Sequence, residues 1–415
     1  MLWEKRLEKW AMDVRENANI PARLVLWNGH SFDFGQFATP EVALHARSLS
    51  ALPYLLNPSL DNLGEAYVKG IIDLDGKLTD IVKTGFILAN HTLSGTNTAL
   101  TRAYRQLRNY WQSDHDAVQF HYDVSNDFYK LWLDQNLVYS CAYFEQGNES
   151  LDAAQIKKID HILTKIKLQS GHTLLDIGCG WGALLIRAAQ TFDIRGVGIT
   201  LSHNQHELAT RRVADAGLSD RIEIRLQDYR ELSGQFDRIT SVGMFEHVGR
   251  KNLPIYFSKI RELLKEDGLA MNHGITSTDP HDREAANPGS EFIDKYVFPK
   301  GEVPHLSLAL KSMQLGGLEV LDVENLRRHY AKTLGIWSEN FEHHKERIHQ
   351  HIDEERFRIW RVYLAGCALA FERDEISLHQ VLCQKSGKSA SSLGWSRQYM
   401  YQPANEASQS HSSLI

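Results

Sequence analysis

The run Leu174-Leu175-Asp176-Ile177-Gly178-Cys179-Gly180-Trp181-Gly182 constrains this chain more than any other stretch. It reads as a buried strand that ends in an alternation of glycines and opens a helix. Glycine accepts the left-handed backbone that a sharp strand-to-helix turn needs, and such a turn lets main-chain N–H groups approach a nucleotide-like ligand. The spacing is Gly-x-Gly-x-Gly, which differs from the G-x-G-x-x-G fingerprint of dinucleotide sites. A glycine turn without any ligand is the alternative.

The pattern around this turn predicts the rest of the sheet. Apolar runs at 174–177, 194–199, 222–226, 236–242 and 269–275 alternate with stretches of helical period from about residue 157 onward. Alternating strand and helix implies a doubly wound, mostly parallel α/β sheet of the Rossmann-like kind. Ligands of such sheets sit at the carboxyl ends of the strands, so the loops after Asp176, Ile199, Leu226 and Val242 should meet in one crevice. Residues 1–90 carry shorter mixed runs separated by turn signals and predict a smaller α+β domain. Residues 91–115 read as a linker with Arg102, Arg105 and Arg108, 116–385 as the catalytic domain, and 386–415 as a flexible tail.

Composition narrows the class of function. The formal net charge of -6 gives no footing for a nucleic-acid partner, whose sites are broadly basic. The four cysteines, Cys141, Cys179, Cys367 and Cys383, are widely spaced and suggest neither a disulfide framework nor a zinc site. The first ten residues are charged throughout, unlike a signal peptide, so a reducing cytoplasm fits best. The histidines 343, 344, 349 and 351 lie among charged residues and read as a solvated helix face, and no metal is expected.

The loops supply the candidate ligand residues. Asp176 either orders the glycine loop and contacts a ligand or caps the following helix. The second strand ends Thr200-Leu201-Ser202, where an acid that grips ribose hydroxyls would be usual, so Thr200 or Gln205 must substitute. Gln227-Asp228-Tyr229 follows the third strand, with an acid able to accept from an adenine amino group. Met244-Phe245-Glu246-His247 follows the fourth and sets a carboxylate beside an imidazole, in a site or in a helix cap.

In these loops the chain resembles the cyclopropane-fatty-acid synthase family, which includes the mycolic acid cyclopropane synthases. The resemblance covers roughly residues 110–385 through His121-Tyr122-Asp123-Val124-Ser125-Asn126, Tyr139-Ser140-Cys141-Ala142-Tyr143-Phe144, the Gly178–Gly182 loop, Thr200-Leu201-Ser202-His203-Asn204-Gln205 and Phe245-Glu246-His247. Thr-Leu-Ser is what such enzymes carry at the second turn. The resemblance implies an S-adenosylmethionine pocket built from Tyr122, Tyr139, Ser140, Asp176, Gly178, Gly180, Trp181, Gly182, Thr200, Leu201, Ser202, Gln205, Gln227, Asp228 and Tyr229. It implies transfer of a methylene group to the cis double bond of an unsaturated acyl chain in a membrane phospholipid, with a carbocation deprotonated by a bound bicarbonate. The bicarbonate ligands carry over to Cys141, Glu246, His273, Ile275 and Tyr330. Cys367 aligns with a cysteine proposed as a nucleophile in the family, but lies in an apolar helix with no basic neighbour in view.

Tyr143, Phe144, Tyr296 and Phe298 are candidates to face the cation or to wall an acyl tunnel. Bilayer substrates imply a cytoplasmic enzyme bound peripherally at the inner face of the membrane, and the family implies a homodimer. Leu2, Trp3, Leu7, Trp10 and Val14 fall on one helical face, which suits either an interfacial helix or a helix packed on its own domain. Two other readings stand beside this one: a relative that makes methyl- or methylene-branched lipids, and a non-catalytic lipid-binding protein.

Overall fold

The computed structural model describes residues 2–91, 124–281, 289–298, 301–387 and 393–401. Tyr122 and the Arg102, Arg105 and Arg108 stretch lie outside the described residues. The chain divides into two compact units. The first gathers the described residues up to 91 with 289–298 and 341–370; the second holds the remainder. The units therefore interleave along the chain, which a simple succession of domains does not contain.

In the first unit, helix α1 (Leu2–Asn17) precedes a four-stranded sheet of β1 (Ala22–Val25), β2 (Ser31–Asp33), β3 (Val42–Ala46) and β4 (Ile72–Gly76), followed by α2 (Leu78–Asn90). The strand order is β2-β1-β3-β4, with β1 and β3 parallel and both outer pairs antiparallel. On the apolar face of α1, Leu7, Trp10 and Val14 are at most 1% exposed and form the core of this unit with the strands, while Leu2 is 84% exposed, so these three residues pack on their own domain. Trp10 meets Phe34 edge to face at 5.0 Å.

In the second unit, α3 (Leu151–Lys165) leads into β5 (Thr173–Ile177), α4 (Ala183–Thr191), β6 (Arg195–Thr200), α5 (His203–Asp215), β7 (Ile222–Leu226), β8 (Phe236–Val242), α6 (Leu253–Leu263) and β9 (Leu264–Ser277). Two further strands, β10 (Leu318–Asn325) and, after helices α7 (Arg327–His343) and α8 (Glu354–Glu372), β11 (Ile376–Lys385), complete a seven-stranded sheet. Its order is β10-β11-β9-β8-β5-β6-β7. The five strands from β5 to β9 run parallel; β11 pairs antiparallel with β9, and β10 antiparallel with β11, so β11 alone of the seven runs against the rest. Apolar clusters centred on Leu174 and Leu185, and on Ile177 and Tyr256, fill the core of this unit. This is the doubly wound α/β architecture that the run of strands predicted.

The tail needs a correction. Met400 is buried in the core of the second unit, Tyr399 donates to the Lys165 carbonyl at 3.1 Å and Arg397 pairs with Asp322 at 2.6 Å, so residues 393–401 are anchored and not a flexible tail.

Candidate active site

The glycine turn after β5 is built as the sequence requires. Gly178, Gly180 and Gly182 take φ of 78°, 54° and 80°, values that other residues adopt only with strain. The N–H groups of Gly178 and Cys179 both donate to the Ile199 carbonyl at 3.0 Å, which ties the turn to β6. Gly182 is the N-cap of α4, so Asp176 does not cap that helix. Its carboxylate is instead 3% exposed and accepts from Thr240 Oγ1 at 2.7 Å. Burial raises its pKa to about 6, against the opposing pull of that hydrogen bond and of Lys158.

A cavity of about 310 Å³ opens over this turn at the carboxyl ends of the strands. Of the candidate ligand residues, Tyr139, Ser140, Asp176, Gly178, Gly180, Trp181, Thr200, Leu201, Gln205, Gln227, Asp228 and Tyr229 line it. Gly182 and Ser202 stand behind the wall, the first as the cap of α4 and the second as the cap of α5, where its hydroxyl accepts from Gln205 N. Thr200 Oγ1 donates to Gln205 Oε1 at 2.8 Å, so the two residues expected to stand in for a ribose acid form one polar unit. Burial pushes the Asp228 carboxyl up, but hydrogen bonds from Arg230 prevail and hold it below its ordinary value. Trp181 donates from its indole to Asn126 Oδ1 at 2.7 Å and packs on Tyr129, which fixes one wall.

The same cavity is lined by residues the sequence did not single out as ligands, among them Lys158, Met244, Asn252 and Ile255. Lys158 lies in the helical run Gln155-Ile156-Lys157-Lys158, where a lysine usually reads as solvated. No signal beyond the amphipathic pattern of α3 could have marked it.

A second cluster adjoins through the turn Phe245–His247, whose first residues after β8 share the cavity wall by way of Met244 and His247. Glu246 caps no helix: its Oε1 accepts from Ile275 N on β9 at 2.5 Å, while Oε2 is buried without a partner among the described residues. Burial raises this carboxyl to about 7, with the Ile275 hydrogen bond acting in the opposite sense. Burial likewise lowers His247 to about 4 and His273 well below its ordinary value. The Gln380 side-chain Nε2 of β11 lies 3.2 Å from His273 Nδ1; with that amide donating, the neutral ring carries its proton on Nε2, a buried atom with no partner among the described residues.

Cys141 and Tyr330 are joined to this cluster through Leu326. The Leu326 carbonyl accepts from Cys141 Sγ at 3.9 Å and from Tyr330 N at 3.0 Å, and Leu326 N donates to Leu378, which lies opposite Ile275 across the β9–β11 ladder. Burial pushes the Cys141 thiol far above its ordinary value, so it is not a thiolate at neutral pH. Cys367 belongs to the first unit, is half-buried on α8, and is pushed by burial to about 12. Of the aromatic candidates, Tyr143 stacks between His161 and His329 at 4.4 and 4.8 Å, and Phe144 sits under Lys332. Tyr296 and Phe298 fall in the first unit, against Phe292 and Tyr363.

Gly274 explains how the two strands approach. A Cβ there would lie 2.0 Å from the Phe245 ring and 3.0 Å from Glu246 Oε1, so only glycine lets β9 carry the Ile275 N–H to Glu246.

Comparison with known proteins agrees with this arrangement. The family model of mycolic acid cyclopropane synthetase matches residues 110–381, and a model of a domain of unknown function matches residues 10–97. A Pseudomonas putida protein named "Probable fatty acid methyltransferase" is 43% identical over 389 residues, 93% of this chain and 98% of that protein. Cyclopropane mycolic acid synthase 1 of Mycobacterium tuberculosis is 39% identical over 276 residues, 65% of this chain and 96% of its own length. Among solved structures, the mycolic acid cyclopropane synthase CmaA1 complexed with SAH and CTAB aligns with a TM-score of 0.63 at 38% identity, covering 66% of this chain and all of that one. Coclaurine N-methyltransferase, at 22% identity and a TM-score of 0.58, shares the fold. The chain thus belongs to the mycolic acid cyclopropane synthetase family of S-adenosylmethionine-dependent methyltransferases.

Proposed function

We propose that this enzyme transfers a methylene group from S-adenosylmethionine to the cis double bond of unsaturated acyl chains in membrane phospholipids, giving cyclopropane fatty acids. One observation carries the reading. Glu246 Oε2 and His273 Nε2 are both buried and unpartnered among the described residues, next to the wall of the donor cavity. Burial raises the acid to about 7 and keeps the imidazole neutral, so near neutral pH each can offer a proton to a small anion.

Bicarbonate fits that pair of orphaned groups. Glu246 and His273 would hold it together with Cys141 and Tyr330, and when bound it supplies a base for the proton that leaves the transferred methyl. Ile275 acts through its N–H, which fixes the Glu246 carboxyl. An alkene is a weak nucleophile, so aligning it with the sulfonium methyl is the chief demand on the protein; good positioning is worth about 7–11 kcal/mol. The apolar, buried surroundings of Phe245 and Glu246 exclude water that would otherwise capture the cation. Acyl chains reside in a bilayer, so the reaction entails peripheral contact with the membrane.

The test is incubation with trideuteromethyl donor and vesicles of unsaturated phospholipid. Cyclopropane closure keeps two of the three deuteriums in the acyl chain and shows ring protons by NMR. Acyl chains without label would overturn the reading, and so would a labelled product with a methyl or exocyclic methylene branch.

A further inference from the structure

Lys158 is a buried cation inside the donor cavity to which nothing above assigns a task. It is 2% exposed, lines the cavity, and donates from Nζ to Ser140 Oγ at 2.8 Å. Three residues earlier on the same helix, Gln155 donates to the carbonyls of Val138 and Ser140 at 3.1 and 2.8 Å. The main chain of the Val138–Ser140 segment is therefore already held, and Lys158 is reserved for the serine side chain.

Charge explains what such a lysine can do. Burying an ammonium is costly unless it is paired. Its hydrogen-bond partner here is a neutral hydroxyl, and the buried Asp176 feels it through space while accepting from Thr240. Burial lowers Lys158 to about 8, with the carboxylates of Asp134 and Asp176 acting against that, so the ammonium form prevails at neutral pH. Because Ser140 Oγ accepts from Lys158, its own proton is turned toward another acceptor, and none is present among the described residues.

We propose that Lys158, acting through Ser140, recognises the α-carboxylate at the amino-acid end of the methyl donor, with Asp176 facing the α-ammonium. A zwitterion then meets a cation-polarised hydroxyl and a carboxylate, so the seated donor adds opposite charge to two buried groups whose hydrogen-bond partners are neutral hydroxyls. Lys158 is on this account a positioning residue that fixes the sulfonium end over the alkene. The assignment rests on the donor-pocket reading of the cavity.

Isothermal titration of the full chain with three probes tests it: S-adenosylhomocysteine, its decarboxylated analogue, and 5′-methylthioadenosine, which lacks the amino-acid end. Lys158→Met is expected to weaken S-adenosylhomocysteine by about 10- to 100-fold and to leave the two carboxylate-free probes within about threefold. An equal loss for all three probes, or no loss for any, overturns the assignment. If Lys158→Met does not fold, Ser140→Ala serves instead. Retention by that variant of the unsubstituted protein's preference for S-adenosylhomocysteine over the decarboxylated analogue overturns the relay. Failure of the unsubstituted protein to bind any probe overturns the donor pocket itself and this assignment with it.

Discussion

Glu246 is a carboxyl held out of water on the side of a hydrogen-bonded strand, and its physical state follows from that. With the folded value near 7 and an ordinary value of 4.5, the folded protein binds a proton that the unfolded chain has released between those pH values. Stability from this group is thus present below about pH 4.5 and is lost as pH rises through about 7, on the order of 3 kcal/mol in all. Glutamine cannot ionise. Glu246→Gln is therefore expected to melt higher than the unsubstituted protein at pH 8 and nearly alike at pH 5, read by calorimetry. On the proposed function the same change removes a group that helps to hold the base, and turnover should fall about 10²- to 10⁴-fold with donor affinity kept. A turnover that survives would remove Glu246 from the chemistry. The carboxylate beside the imidazole was legible in Phe245-Glu246-His247; its partner Ile275 N and the orphaned Oε2 were not, because they depend on how closely β9 passes.

That approach belongs to the elements, and Gly274 controls it. Gly274→Ala drives a methyl into the Phe245 ring, and overpacking of this kind costs about 1–3 kcal/mol. Expected results are a lower melting temperature and loss of most turnover, since β9 must draw back from Glu246. An alanine variant of unchanged activity would show that the Glu246–Ile275 contact is dispensable. Helix α1 makes the contrasting case. Because Trp10 is fully buried against Phe34, Trp10→Ala should cost about 3–5 kcal/mol in denaturant unfolding while vesicle binding is unchanged. The parallel strands were readable because each is an apolar run closed by a turn. Strand β11 was not: in Ile376–Lys385 nearly every residue is buried, yet His379, Gln380 and Gln384 are polar and bond to Thr276, His273 and Glu319 across the sheet. Hydropathy cannot see a polar residue whose partner lies a hundred positions away. Lys158 escaped although its partner Ser140 is 18 residues away, because only the folded chain brings that hydroxyl against α3, and Met400 escaped because its surroundings form only when the chain end returns to the sheet.

At the scale of the whole molecule, the chain contains more than a methyltransferase with a module in front. Cyclopropane mycolic acid synthase 1 aligns over 96% of its own length with 65% of this chain, so in that relative the catalytic portion has no counterpart of the extra residues. Here α8 is committed to the first unit. Ala365 and Leu369 pack with Leu78, Val82 and Phe86 of α2, while Arg358 bonds to the Tyr67 carbonyl and Asp73, and Arg361 to the Tyr67 hydroxyl. Deleting residues 1–113 would strip these partners from α8, exposing an apolar patch and leaving two half-buried guanidinium groups without part of their hydrogen bonding. The truncated protein is therefore expected to bind a hydrophobic dye, to associate on size-exclusion chromatography, and to lose turnover even though the Gly178–Gly182 loop and Glu246 are intact. A monomeric, dye-negative fragment with the full chain's activity would mean that the second unit is self-sufficient. Replacing Ala365 and Leu369 with polar residues in that fragment separates the causes. If exposure of α8 is what fails, solubility returns with these changes; if the catalytic unit needs the first unit's support for its own fold, it does not.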